Sequence, residues 1–182
     1  MKFIRNAGRD RALDRLTAVH AGGLARVATA ELSVFGVEAF GDAIGTAGAV
    51  RMICSPQDVI AAGLLGDVAD RARRNSLAGR NSAERVASWL NQSEVRIASR
   101  RLPQSLITVD GANEGVALVG GCALTTDGLG LAPTQPLSLT QLAEREEVDG
   151  LIAWFEDQWR SLEGSGGDKE RLVSLFTEVG LT

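Results

Sequence analysis

Few side chains in this sequence could do covalent chemistry. There is one histidine, His20, and there are two cysteines, Cys54 and Cys122. A serine–histidine–aspartate arrangement would have to use His20. That residue falls at the end of a segment with helical spacing, where an imidazole commonly meets the last carbonyls and the negative end of the helix dipole. Each cysteine sits in an apolar run, Arg-Met-Ile-Cys-Ser or Val-Gly-Gly-Cys-Ala. Both are expected as buried free thiols in a reducing compartment. With no Cys-x-x-Cys pair and a single imidazole, the spacing offers no zinc site. Glu144, Glu146, Glu147 and Asp149 crowd the start of an expected long helix, where the dipole favours negative charge. They do not read as the facing carboxylates that general acid–base catalysis needs. No phosphate-cradling or dinucleotide-binding glycine fingerprint follows a strand, and no Gly-x-Ser-x-Gly elbow occurs. No metal and no cofactor are expected.

Charge offers more than nucleophiles do. Residues 1–101 carry a net charge of +5, and residues 102–182 a net of −9. The basic excess is densest at Arg71, Arg73, Arg74, Arg80 and Arg85, and again at Arg96, Arg100 and Arg101. Such a group can hold phosphate through charge-assisted hydrogen bonds. The competing reading is a solvated helix surface, or pairing with the acidic half. No aromatic residue interleaves with the arginines and the chain has no tyrosine, so base stacking has little support.

These residues must be positioned by helices and strands that alternate through the first half. Phe3 and Ile4 suit a short edge strand, and Asp10 to His20 an amphipathic helix stopped by Gly22-Gly23. Ala25 to Leu32 reads as a strand, followed by a helix initiated at Ser33. Ala49 to Ser55 is a second strand, with Pro56 opening the next helix. Ser76 to Ser82 reads as a loop, and the capping-box spacing of Asn81 and Glu84 starts a helix through Val86, Trp89 and Leu90. Glu94–Ser99, Leu106–Asp110 and Val116–Val119 are further strands, the last two joined by hairpin residues Asp110-Gly111-Ala112-Asn113. Pro133 and Pro136 break a loop. From Glu147 to Glu163, Val148, Leu151, Ile152, Phe155, Trp159 and Leu162 fall on one helical stripe, with Trp154 on its shoulder. Gly164-Ser165-Gly166-Gly167 is a linker to a short helix, Lys169–Val179, read as a docking tail. The expected fold is an α/β sandwich around a mixed sheet, with one domain over residues 1–163 and an appendage over 164–182.

The 182 residues have room for a sizeable core, and 45% of them are hydrophobic. The start, Met-Lys-Phe-Ile-Arg-Asn, turns polar too early for a signal peptide, and no apolar run approaches the ~20 residues of a membrane helix. A cytoplasmic protein without membrane contact is expected.

Leu102-Pro103-Gln104-Ser105-Leu106-Ile107-Thr108-Val109-Asp110, then Val116 through Gly120-Gly121-Cys122-Ala123 to Gly128-Leu129, then Trp154-Phe155-Glu156-Asp157-Gln158-Trp159 follow one another in a telling order. The order and spacing resemble the C-terminal part of a phospholipase D-like, HKD-type nuclease domain. Such a domain has a His-x-Lys strand, a turn, a Gly-Ser-x-Asn strand ending near Gly-Leu, and a helix with a Phe-x-x-x-Trp pattern. The N-terminal half, with Ala-Arg-Val-Ala-Thr-Ala-Glu-Leu-Ser-Val-Phe-Gly and Val-Arg-Met-Ile-Cys-Ser, is similar to the opening of such domains, including those attached to helicases and restriction proteins. The resemblance covers nearly the whole chain.

The departures fall on the chemistry. The motif histidine corresponds to Pro103, or to Gln104 after a one-residue shift, and the motif lysine to Ser105. The motif serine and asparagine correspond to Gly121 and Ala123, while Gly120-Gly121 retains the close turn. In an active member the histidine attacks phosphorus, and lysine and asparagine hold the phosphoryl oxygens. Pro or Gln cannot attack phosphorus, and Ser and Ala do not replace the positive charge. The resemblance therefore implies an inactive phosphodiesterase scaffold of a prokaryotic nucleic-acid process such as repair, restriction or defence. Members with one motif per chain pair up, so it also implies a homodimer. The expected phosphate-contact surface is Arg71, Arg73, Arg74, Arg80, Arg100 and Arg101, taking DNA or RNA. Two alternatives stand beside it. One is a protein–protein module regulating a helicase or nuclease. The other is a phosphodiesterase with a non-standard site built on His20, Asp110 or Asp127.

Overall fold

The computed structural model describes residues 2–17, 19, 23–45, 49–75, 78–111, 115–132, 139–163 and 166–181. His20, the glycines at 22 and 48, Ala112-Asn113 of the hairpin turn, the Pro133–Pro136 loop and Gly164-Ser165 lie outside these residues.

The chain is a mixed α/β structure. Seven strands, β1 (Lys2–Ile4), β2 (Leu24–Thr29), β3 (Ala49–Cys54), β4 (Glu94–Ile97), β5 (Ser105–Val109), β6 (Val116–Gly120) and β7 (Thr140–Leu142), form one sheet in the order β1-β7-β6-β5-β2-β3-β4. β2, β3 and β4 run parallel, and every other pairing is antiparallel. The parallel strands are linked by helical crossovers. α2 (Val34–Ile44) joins β2 to β3; α3 (Gln57–Gly63), α4 (Arg71–Arg74) and α5 (Ala78–Asn91) lie between β3 and β4. The helices α1 (Ala12–Thr17), α6 (Arg145–Ser161) and α7 (Asp168–Leu181) complete the chain.

Period-two alternation decides which side of each strand meets which helices. On β2, Ala25 and Val27 join the larger core with Phe40, Leu90 and Phe176, under α1, α2, α5 and α7. Arg26 and Ala28 face the other way, where Phe155 and Trp159 of α6 cover Ala28, Ile53 and Leu106. Phe155 and Trp159 stack with centroids 6.0 Å apart, and full burial of each ring is worth about 2–3 kcal/mol.

Local signals explain the helix starts. The Ser33 hydroxyl accepts the Gly36 amide at 3.1 Å and caps α2. Glu144 caps α6, and Glu147 reaches back to its amide at 2.7 Å, which holds the Glu147 carboxyl below its usual range. Gly36 is needed for a different reason: a Cβ there would lie 2.1 Å from the Leu124 carbonyl oxygen. Helix α2 and the 121–130 segment therefore meet backbone to backbone.

Three expectations change. Helix α5 begins at Ala78, not at Asn81, because Ser82 and Ala83 are buried within its first turns. The terminal helix is part of the core rather than a docking tail: Leu172 and Phe176 are buried, and α7 packs along α5. Strand β7 was not expected at all. No helix among the described residues is long and apolar enough to cross a membrane.

Candidate cleft at the strand ends

The C-terminal ends of β2 and β6 and the N-terminal end of β5 meet at one end of the sheet's central strands. Ser105 pairs in register with Gly120, and Ala28 with Leu106. Here a cleft of about 460 Å³ opens. Its walls include Pro103, Gln104, Ser105, Gly120, Gly121 and Ala123, six positions singled out in the sequence. Ends of parallel strands where chain direction changes are a common place for ligand sites in open α/β sheets.

Backbone hydrogen bonds hold the floor in shape. The Ser105 hydroxyl is buried and accepts the Ala30 amide at 3.0 Å, so its oxygen is already engaged. The Thr29 hydroxyl donates to the Glu31 carbonyl at 2.5 Å and accepts the Leu124 amide at 3.0 Å. The Leu102 amide donates to Ser55 Oγ at 3.0 Å, which fixes the segment carrying Arg101. Gly120 adopts φ +117°, and a Cβ there would lie 2.2 Å from the Leu139 carbonyl oxygen. The neighbouring Gly121 amide donates to that carbonyl at 2.6 Å. The glycine pair thus joins the end of β6 to the start of β7.

The charged side chains of this lining are Glu31, Arg101 and Asp127. Arg101 Nη2 lies 2.6 Å from Glu31 Oε1, closing an ion pair at the mouth. The described lining has no histidine, lysine or cysteine. Cys122 lies beneath the floor, its thiol donating to the Ser105 carbonyl at 3.6 Å. Burial pushes the Cys122 thiol up to about 12, and burial with the nearby Asp168 carboxylate does the same for Cys54. Neither is a nucleophile at neutral pH.

A second hollow of about 290 Å³ adjoins the cleft and shares Glu31, Thr125 and Asp127 with it. Its far wall holds Asp70, a carboxylate that is only 1% exposed. Asp70 accepts the Thr126 hydroxyl at 2.9 Å and the Asp67 amide at 3.2 Å, and pairs with Arg73 at 3.0 Å. This fastens the α3–α4 excursion to the loop after β6. The Thr126 contact joins residues 56 positions apart, so no local pattern in the sequence marks it.

The six arginines of the expected phosphate surface have different fates. Arg73 is held by Asp70 and Arg101 by Glu31. Arg74 donates to the carbonyls of Leu65 and Asp67, at 3.1 and 2.6 Å. Arg71 and Arg100 are exposed, and their side chains make no ion pair among the described residues. The side chain of Arg80 lies outside what the structure describes. Elsewhere Arg85 bridges Glu38 and Asp42, and Arg96 lies over the Trp159 ring, 4.1 Å from its centroid.

Asp110 and Asp127 do not form a common site. Asp127 lines the cleft, while Asp110 follows the opposite end of β5 and pairs with Arg26 at 3.0 Å. A five-residue strand separates the two ends by about 16 Å. Among the described residues, no three of His, Cys, Asp and Glu gather to hold a metal ion.

No protein-family model matches this chain, and no curated protein matches it.

Proposed function

We propose that the chain is a non-catalytic phospholipase D-like scaffold that acts by binding nucleic acid, in repair, restriction or defence. One observation carries the non-catalytic part. The six positions that the resemblance aligns with the two phosphodiesterase motifs line one cleft, and its described lining offers neither imidazole nor ammonium. Covalent phosphoryl transfer needs a nucleophile and a cation at the phosphoryl oxygens. Here the nucleophile's place holds Pro103 or Gln104, and the one cationic side chain of the described lining is paired with Glu31.

The nucleic-acid part rests on the net +5 of residues 1–101 and on Arg71 and Arg100, which face solvent. Phosphate contacts of this kind are electrostatic and release counterions. Fluorescence anisotropy with short single- and double-stranded DNA at low salt is the test. Binding is expected, and the double variant Arg71→Ala/Arg100→Ala lowers the slope of log K against log salt by about two on duplex DNA. No binding of either form ends this reading. Hydrolysis of bis-p-nitrophenyl phosphate is expected to be absent with or without divalent metal. Turnover that disappears in His20→Ala would replace the proposal with an enzyme built on that residue.

A second reading, a module that binds a helicase or nuclease partner, is favoured by Trp154. This indole on α6 is 45% exposed, against 5% for Trp159 on the same helix. Aromatic anchors of this size are enriched at protein interfaces. Stable co-purification of one partner, lost in Trp154→Ser, would favour this reading over the first.

A further inference from the structure

The charges at the cleft mouth point to a property that goes beyond a missing catalyst. Arg101 is the one cation in the described lining, and Glu31 holds it at 2.6 Å. Both side chains are more than half exposed, 63% and 51%, so the pair is weak in itself and a ligand could compete for the guanidinium. Displacement would not remove the carboxylate, however. The Glu31 carbonyl is tied to the Thr29 hydroxyl and the preceding Ala30 amide to Ser105, so the Glu31 backbone stays at the cleft edge. An incoming oxyanion would then share the space with the Glu31 carboxylate.

We propose that Glu31 is the specificity determinant of this cleft: it occupies Arg101 and stays tethered beside it as a negative charge, and so excludes phosphate-type oxyanions. The cleft is electrostatically closed to the group that a phosphodiesterase would bind, and open to neutral or cationic ligands. Arg101 is the latent anion anchor, because a planar guanidinium offers paired donors to an oxyanion. Its position survives loss of the bridge, since the neighbouring Leu102 amide is held by Ser55. This inference does not depend on nucleic acid binding at Arg71 and Arg100, which lie outside the cleft lining.

The test is an amide chemical-shift titration with inorganic phosphate, read at Gly120, Gly121 and Gln104, on the whole chain. A 5′-phosphorylated tetrathymidylate and its unphosphorylated counterpart, titrated in parallel, separate free phosphate from a nucleotide end as the source of the anion. In the wild type these amides show no saturable response to phosphate. In Glu31→Gln, which keeps the shape and removes the charge, phosphate affinity rises about tenfold or more. Adding Arg101→Gln abolishes that gain. Glu31→Ala serves as a second variant if the glutamine disturbs folding, and unchanged shifts far from the cleft verify the fold. Equal phosphate binding by wild type and both Glu31 variants overturns the proposal, as does a gain that persists without Arg101. Either outcome leaves the DNA-binding reading standing, because that reading is measured separately by its dependence on Arg71 and Arg100.

Discussion

Arg26 and Arg51 stand directly opposite one another on the adjacent parallel strands β2 and β3, and both guanidinium groups donate to the single carboxylate of Glu156. Two like charges in register would repel, so α6 docks on this sheet face with a carboxylate between them. Arg26 Nε lies 2.7 Å from Glu156, Arg51 Nη1 3.0 Å from it, and Asp110 takes a second contact from Arg26. Arg26 is only 11% exposed and Glu156 25%, so water compensates poorly for a lost partner. Glu156→Gln is therefore expected to destabilise the fold by about 2–4 kcal/mol, since it leaves two partly buried cations short of a counter-charge. Urea denaturation followed by far-ultraviolet circular dichroism measures this. A loss below about 0.5 kcal/mol would mean that the network is not what holds α6 to the sheet.

The buried thiols make a prediction about alkaline stability. Folding raises both cysteines to about 12, above the ~8.5 of a free thiol. Between those values the unfolded chain releases protons that the folded chain keeps, so unfolding becomes more favourable as pH rises. Below about pH 8 the thiols contribute nothing to the slope. By pH 10 each costs about 2 kcal/mol of stability. The sequence has no tyrosine and only two lysines, so few other groups titrate in this window. The expected result is a steep loss of stability from pH 9 upward, largely removed in Cys54→Ala/Cys122→Ala. In the native state at pH 8, neither thiol should react with a disulfide reagent, and both should react in denaturant.

Gly120 should tolerate no side chain. Its φ of +117° is unfavourable for an L residue, and an added Cβ would lie 2.2 Å from a backbone oxygen that cannot move alone. Gly120→Ala is expected to cost about 3 kcal/mol or more, by combining strain with a clash. Hydrogen exchange locates the damage: amides of β6 and β7 should lose protection, while those of β3 and β4 keep theirs. Protection lost evenly over the whole sheet would contradict this local account.

What was legible in the sequence was what short-range patterns encode. The alternation of β2 and β3, the Ser33 cap and the apolar stripe of α6 each lie within one segment, and each appears in the structure near its expected bounds. Strand β7 escaped because Thr140-Gln141-Leu142 is too short to show a period and gains its strand character from pairing with both β6 and β1. The start of α5 escaped because Ala-Gly-Arg-Asn-Ser is a weak helix sequence that packing overrides. The cleft residues were named from the spacing of a resemblance, but the Glu31–Arg101 and Asp70–Thr126 contacts join residues 70 and 56 positions apart. No local pattern carries contacts at that distance, so the charge of the cleft is a property of the folded chain alone.

The indoles supply the last prediction. Trp159 is buried against Phe155 and under Arg96, Trp89 meets the edge of Phe40 at 5.9 Å, and Trp154 is 45% exposed. A side chain this exposed contributes little to folding when one aromatic ring replaces another, so Trp154→Phe should change stability by less than about 0.5 kcal/mol, whereas Trp159→Ala should cost about 3–5 kcal/mol. Acrylamide quenching distinguishes a free surface from a covered one. If α6 presents Trp154 to solvent, the wild-type emission is strongly quenched and Trp154→Phe removes most of the quenchable part. If a second copy covers this face, as the homodimer implied by the phospholipase D-like resemblance would allow, quenching should be weak at high protein concentration and grow on dilution. Sedimentation velocity over the same concentrations ties the change to assembly, because a monomer throughout, with a quenchable Trp154, leaves this face free for a different protein.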